Sequence, residues 1–447
     1  MSKKTGLVVA LAGVCALSLF LLSCGSSSSR PSGLLYVLTE GSTGIGNNIT
    51  SYAIDLRSGG LSLINSNAST CGSGLSCGAP LSIVLDPTGA TAFVLNQGIA
   101  SASVAPTIYP YTVNSDGSFS APGTSVTWNC IVGTGGSCYP DTPSGMARDA
   151  AGQFLFVIDQ GSSPSLTTCP LVGRGVSNPT DAVNFAGCPS IAVFSVTPGS
   201  TTLTFVSQST TYQSPFFVSK IPTGLSAITL ASSPGEVLFV SSSQDVSANH
   251  NDNTLSVYGV GSDGTLSEKT GSPYATSTIL PQTVLAVNTN ASGSGGVFAY
   301  VGATGNAAGA VDAFQMCTAV TPTCTQTDVD NAKLFSVGNP TTAGQNPQAM
   351  VVDPTNQFLY VVAEQSSQIF GFKINPTSGI LTPLSPASLP TGTNPVALAI
   401  HSTGQFLYTS NSNSDNISAF TLSLTNGSMA TAATVNAPSA PSGMTAR

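Results

Sequence analysis

Four side chains in this sequence are placed to move protons: Glu40, Asp159, His250 and Glu364. Carboxyl and imidazole groups exchange protons with a substrate near neutral pH once their surroundings tune them. The three carboxyls share a setting, each lying just beyond a short apolar run centred on an aromatic: Leu35-Tyr36-Val37, Leu155-Phe156-Val157 and Leu359-Tyr360-Val361. Gln97 and Asn411 stand in the same place after Phe93 and Tyr408, and Asn346 and Asn394 each precede a proline that opens another apolar run. A ring of such carboxylates and amides could bind a sugar, a lactone or a cation; for any one of them the alternative is a strand-end cap in contact with solvent. His250, within Asp245 to Asp252, is the candidate general acid–base near neutral pH, or else a loop histidine without a chemical role. His401 takes the place that Asp86, Asp149 and Asp353 hold in short turns, so it reads as a turn residue. Asn249 to Asn253 offers oxygens but lacks the EF-hand spacing, so no metal is expected, and no motif asks for a cofactor. Neither a Gly-x-Ser-x-Gly elbow nor an HExxH metal motif is present.

The elements that must position these groups repeat. The aromatic run recurs around Tyr36, Phe93, Phe156, Phe239, Tyr300, Tyr360 and Tyr408, which makes seven copies. In the last six a turn residue stands four places earlier: Gly89, Gly152, Gly235, Gly296, Asn356 and Gly404. Glycine and asparagine tolerate the positive φ that tight hairpins need. Alternating strands follow, carrying Tyr52, Tyr111, Phe194, Tyr258, Phe314, Phe372 and Phe420, and then another turn and a short final strand. Each unit is therefore four antiparallel strands, and seven such units predict an all-β fold, a seven-bladed β-propeller spanning residues 34–447. A pair of β-sandwiches is the alternative, but it leaves the recurrence of one unit unexplained.

The two ends of the repeat complement each other. Leu34 begins the first aromatic run without the apolar strand that precedes it elsewhere, and Pro441-Ser442-Gly443-Met444-Thr445-Ala446 nearly repeats Pro143-Ser144-Gly145-Met146-Ala147. The C-terminal strand is expected to pair into blade one and close the ring. Connection lengths then separate two faces. First-to-second strand turns are short, whereas second-to-third and blade-to-blade links are long and variable, so binding is expected on the face with the long links. The unit Pro-x-x-Leu-Ala-Ile-x-x-x-Gly-x-x-Leu-Tyr, clearest in Asn346 to Leu424, resembles the lactonase-type seven-bladed propellers, including the 6-phosphogluconolactonase-like group and the YVTN-repeat proteins. That resemblance implies the propeller fold and, more weakly, lactone hydrolysis. A phosphorylated substrate fits poorly, because the long-link face offers little cationic charge beyond Arg174 and Lys333. A non-catalytic envelope protein that binds glycans or proteins fits the same residues.

Lys3 and Lys4, the apolar run Leu7 to Leu22 and Leu21-Leu22-Ser23-Cys24 predict a signal peptide over residues 1–23, ending in a lipobox with Cys24 as the lipidated residue. Ordinary cleavage nearby, with Cys24 an incidental thiol, is the alternative. Residues 24–33 read as a Ser/Gly-rich tether, and Gly25 in place of Asp favours the outer membrane or cell surface over the inner membrane. The other cysteines beyond the signal fall into close pairs expected to form disulfides: Cys71 with Cys77, Cys130 with Cys138, Cys169 with Cys188 and Cys317 with Cys324. Zinc would need ligands that His250, His401 and the absent CxxC motif do not supply. The formal charge of −8, with only 7% of residues charged, argues against nucleic acid or anionic headgroups as partners.

Overall fold

The computed structural model describes residues 33–40, 47–71, 77–99, 104–127, 142–160, 189–206, 216–217, 220–245, 253–290, 295–305 and 308–447. The expected signal segment and tether up to residue 32, with Cys24, lie outside them, as do Cys130, Cys138, Cys169, Cys188, Arg174 and His250.

Seven antiparallel sheets follow one another around a ring. The first, innermost strands are Pro441–Ala446, Pro80–Leu85, Pro143–Arg148, Lys220–Thr229, Pro281–Asn288, Pro347–Val352 and Pro395–Ile400, for blades one to seven. The second strands, Leu34–Thr39, Thr91–Asn96, Phe154–Asp159, Glu236–Asp245, Val297–Ala303, Phe358–Ala363 and Phe406–Asn411, carry the repeated aromatic. Pro441–Ala446 pairs with Leu34–Thr39, with Leu35 opposite Ala446 and Val37 opposite Met444. Leu34 and Arg447 exchange both backbone hydrogen bonds at 3.0 Å, so the ring closes within blade one as the sequence predicts.

The core lies between blades rather than at the centre. Tyr36 packs with Ile83 and Tyr111 of the next blade, Phe239 with Val284 and Phe314, Tyr300 with Met350 and Phe372, and Tyr408 with Val37 and Met444. All seven second-strand aromatics are essentially inaccessible to water. A strand buried on both sides suits these β-branched and aromatic runs, and no blade keeps both its faces dry without its neighbours.

Three local departures from the repeat appear among the described residues. Blade two has three strands, and its fourth is reduced to the bridges Val113↔Phe119 and Ile108↔Val126. Gly296, expected to take a positive φ like Gly89, Gly152, Gly235, Asn356 and Gly404, does not. The first-to-second connection of blade five is longer, and a Cβ at Gly296 would come within 2.8 Å of the Phe298 ring, so close packing is what requires glycine there. One short helix, Gln326–Asp330, interrupts the third-to-fourth connection of blade five, where Thr325 and Asp328 form a capping box.

Candidate active site at the mouth of the channel

Most innermost strands open on proline, and that choice shapes the site. Proline donates no backbone hydrogen bond, so the ladder slips beside it. Register shifts fall at Pro80/Ser82, Pro143/Gly145, Pro222/Gly224, Pro281/Thr283, Pro347/Ala349 and Pro395/Ala397. Each slip leaves one residue without a cross-strand partner: Leu81, Ser144, Thr223, Gln282, Gln348 and Val396. Ser442 holds the matching position in blade one, where the shift falls between Val37 and Thr39. Such β-bulges re-aim a side chain at the rim of a sheet. Leu81, Val396 and Ser442 line a cavity of about 430 Å³, together with Glu40, Ser412, Asn413, Ala440 and Pro441.

A second device fixes the outer rim of this mouth. In six blades the residue after the second strand donates its backbone N–H to the carbonyl of the residue before the proline: Gln97 to Ala79, Gln160 to Thr142, Thr304 to Leu280, Glu364 to Asn346, Ser412 to Asn394 and Glu40 to Ala440, at 2.8–3.2 Å. Leu280, Asn346, Asn394 and Ala440 adopt φ between 46° and 60° to present that carbonyl. Left-handed backbone costs energy for anything but glycine, asparagine and aspartate least of the rest. The two asparagines are thus local backbone solutions as well as rim groups.

Among the described residues Glu40 is the one carboxyl of this cavity. Burial raises its pKa above the ordinary carboxylate range. Its carbonyl accepts from Ser439 Oγ at 3.0 Å, which ties the residue to the closing segment. Glu364 occupies the same rim position in blade six but faces a different set of groups: its Oε2 accepts from Asn346 Nδ2 and, at 3.0 Å, from Gln348 Nε2. Asn346 Oδ1 accepts in turn from Thr304 Oγ1 at 2.9 Å. Asn394 Nδ2 donates to Ser412 Oγ at 2.6 Å. Gln97 is exposed at blade two.

Asp159 and Asn411 lie one step further back, as the last residues of their strands, and are fully buried. Asp159 Oδ1 accepts from Thr142 N at 3.0 Å. Asn411 donates to Asn416 Oδ1 at 2.7 Å and Ser418 Oγ at 3.0 Å, and accepts from Thr409 Oγ1. These two stitch blades internally and do not face the cavity. The structure therefore does not gather Glu40, Asp159 and Glu364 into one pocket, and His250 lies outside the described residues. Sequence reasoning missed Ser442, Leu81, Val396 and Ser412; the signal available for the first three was their place directly after the repeated proline.

On the opposite face His401 acts as the turn residue its position suggests. Its Nδ1 accepts from Thr403 N at 3.2 Å, as Asp353 accepts from Thr355 N at 3.0 Å. Among the described residues no group of three His, Cys, Asp or Glu side chains is arranged to hold a metal. No described helix is long and apolar enough to cross a membrane. Two of the expected disulfides are formed, Cys71–Cys77 in the link between blades one and two and Cys317–Cys324 in blade five. Disulfides persist in oxidising compartments, and the two bridges fit an exported protein.

Residues 323–391, the end of blade five and all of blade six, match the family described as Lactonase, 7-bladed beta-propeller. No curated protein is detectably similar in sequence. Among solved structures, a periplasmic gluconolactonase of Pseudomonas aeruginosa is similar with a TM-score of 0.60 and 19% identity, over 92% of this chain and 98% of that one. A Bacteroides fragilis protein provisionally assigned as a 6-phosphogluconolactonase gives a TM-score of 0.62 and 14% identity, over 94% and 99%. A Bacteroides uniformis protein with the same provisional assignment gives 0.60 and 14%, over 93% and 99%. At these identities the likeness is one of fold, and it spans the whole ring: this chain is a seven-bladed β-propeller, similar in architecture to those three structures.

Proposed function

We propose that the long-link mouth of the channel binds an unphosphorylated sugar lactone and hydrolyses it, with Glu40 as general base. The observation that carries this reading is Glu40, a carboxyl pushed up by burial within a cavity whose other polar lining is hydroxyl and amide. A base works best when its pKa approaches the working pH. Asn413 supplies an amide donor for a lactone carbonyl, and the Ser412 and Ser442 hydroxyls, which donate to Asn394 O and Pro80 O, offer their oxygens as acceptors to sugar hydroxyls. In the step proposed, Glu40 takes a proton from water as the oxygen attacks the carbonyl carbon. The ring C–O bond breaks, and the proton passes to the departing ring oxygen, giving the open hydroxy acid. Among the described residues no Lys or Arg lines this cavity, which disfavours a phosphorylated substrate. The lactonase family match and the gluconolactonase-like fold support the same class of substrate.

The test is a turnover assay with glucono- and galactonolactone, corrected for spontaneous opening. Glu40→Gln is expected to lower kcat/KM by about 100-fold or more. The wild-type acid limb should fall above the ordinary carboxylate range, because the base is active only when ionised. His250→Ala reports whether the loop histidine contributes. Since Glu40, Asp159 and Glu364 do not share a pocket, a second reading remains: an envelope module that binds a glycan or protein ligand without turning it over. Lactone binding with no turnover above the spontaneous rate would select that reading.

The same proposal places the protein in the cell envelope, lipid-anchored at Cys24 and held off the membrane by residues 24–33. Cys24→Ala should move it from the detergent-extracted membrane fraction to the soluble one.

A further inference from the structure

The far mouth of the channel, on the short-turn face, carries the opposite charge. A cavity of about 340 Å³ opens there between the ends of the first strands of blades one, two and three and the turn of blade seven, lined in part by Thr88, Gly89, Arg148, Ser402 and Arg447. Arg148 and Arg447 flank the turn Asp86-Pro87-Thr88-Gly89 of blade two, and both are half-buried. Each guanidinium is held by backbone carbonyls. Arg148 donates one of its terminal N–H groups to Asp149 O at 2.8 Å, and Arg447 donates to Gly89 O. A guanidinium has five donors in a planar fork, so these bonds orient the group without exhausting it.

Neither arginine has a carboxylate within ion-pairing distance among the described residues, where the only ion pair is Lys333–Asp328. Asp86 also lines the cavity, but its carboxylate is committed to Thr88 Oγ1 at 2.6 Å, Thr91 N at 2.8 Å and Gly199 N at 3.0 Å. Asp149 and Asp86 attract Arg148 through space, but neither carboxylate pairs with its guanidinium, so both arginines keep N–H donors for an anion that joins them in the cavity. Ser402 and Thr445, also in the lining, add hydroxyl donors. We infer that the short-turn mouth is an oxyanion site, in which Arg148 and Arg447 together hold the carboxylate or phosphate group of a small ligand. This site does not depend on what happens at Glu40, since the two cavities share no lining residue.

Titration calorimetry at constant ionic strength, with sodium acetate and inorganic phosphate as separate probes and sodium chloride as control, tests it. The expected result is saturable one-to-one binding of at least one probe, and the probe that binds distinguishes carboxylate from phosphate. Arg148→Gln should weaken that binding about tenfold, the loss of one charge-assisted hydrogen bond. Arg148→Lys should recover part of it, and Glu40→Gln should leave it unchanged. Arg447 lies in the ring closure, so Arg447→Gln is read only if its thermal midpoint matches wild type. Absence of saturable binding by both probes overturns the proposal. So does binding that survives Arg148→Gln undiminished, or that depends on Glu40.

Discussion

The ring divides into two arcs that hold their blades together by different means. In blades five, six and seven the second-strand aromatic is tyrosine, and its hydroxyl crosses to the next blade. Tyr300 donates to Gly379 O at 3.0 Å, Tyr360 to Gly427 O at 2.8 Å and Tyr408 to Gly59 O at 3.0 Å. Each acceptor is a glycine at positive φ in the third-to-fourth turn of the following blade. In blades two, three and four the same position is Phe93, Phe156 and Phe239, so the clasp is absent. There the junction between blades two and three uses a carboxylate instead: Asp86 reaches Gly199 N, in the corresponding turn of blade three. The difference teaches that the blade repeat encodes its own inter-blade bond where it is regular, and that this bond is replaced case by case where the connections lengthen. The clasped arc also contains the segment that matches the lactonase family.

The largest effect expected from disturbing this arrangement falls where the clasped arc meets the rest. Deleting residues 441–447 removes the innermost strand of blade one, exposes the edge of Leu34–Thr39 and uncovers Val37 and Tyr408 beside Met444. A loss on the order of 5 kcal/mol or more is expected, enough to unfold many domains outright. Urea unfolding of the truncated chain checks it. A midpoint unchanged from wild type would mean that closure contributes little.

How much of this was legible in the sequence follows from what repeats. The blade number, the closing strand and the turn role of His401 were readable because each rests on a local pattern seen several times. Asp159 and Asn411 were placed at the rim because they follow the aromatic run, yet the last strand residue points into the blade and only the next one faces the mouth. A one-residue step reverses a strand's side chain, so a boundary uncertain by one residue misplaces a site. The bulged residues Leu81, Val396 and Ser442 were missed for a related reason: the register slip that aims them exists only once two strands pair. Chemistry that depends on which blades meet, such as Arg148 with Arg447, has no sequence signature at all.

The next effect separates the arcs by pH. Burial pushes Asp86 up, but the bonds from Thr88, Thr91 and Gly199 outweigh it and leave its pKa below the ordinary value. A depressed folded pKa means that the carboxylate stabilises fully above the unfolded-state value of about 3.9, and that the contribution fades as pH falls through the folded value. Asp86→Ala should cost about 2–3 kcal/mol at pH 7, since it strands buried N–H groups. The penalty should shrink in strong acid, where the wild type has lost the same interaction. The tyrosine clasps do not titrate there, so Tyr360→Phe should cost the same at pH 3 and pH 7. A clasp penalty that varies with acid as Asp86→Ala does would erase the distinction.

At pH 7 each clasp is a neutral hydrogen bond, worth about 1 kcal/mol. Tyr300→Phe, Tyr360→Phe and Tyr408→Phe each leave a glycine carbonyl without its donor and should destabilise by that amount in urea titrations. Values that track the phenylalanine arc instead, near zero for all three, would show that the ring packing alone holds the junctions.

The smallest effect is the sharpest test, because Tyr36 has the clasp residue without the clasp. Its neighbour is blade two, whose fourth strand is reduced to bridges, and a Cβ at Gly117 in the turn would run into Leu34 and Ile64. The Tyr36 hydroxyl is buried and finds no hydrogen-bond partner among the described residues, while its ring packs 4.7 Å from Phe119. Burial, only partly offset by the charge of Arg447, pushes its pKa up to about 12. Leaving a buried hydroxyl unpaired costs what removing it returns. Tyr36→Phe should therefore change stability by no more than about 0.5 kcal/mol, or raise it slightly. A loss near the 1 kcal/mol expected of Tyr408→Phe would mean that blade one is clasped after all and that the arc boundary lies one blade further on.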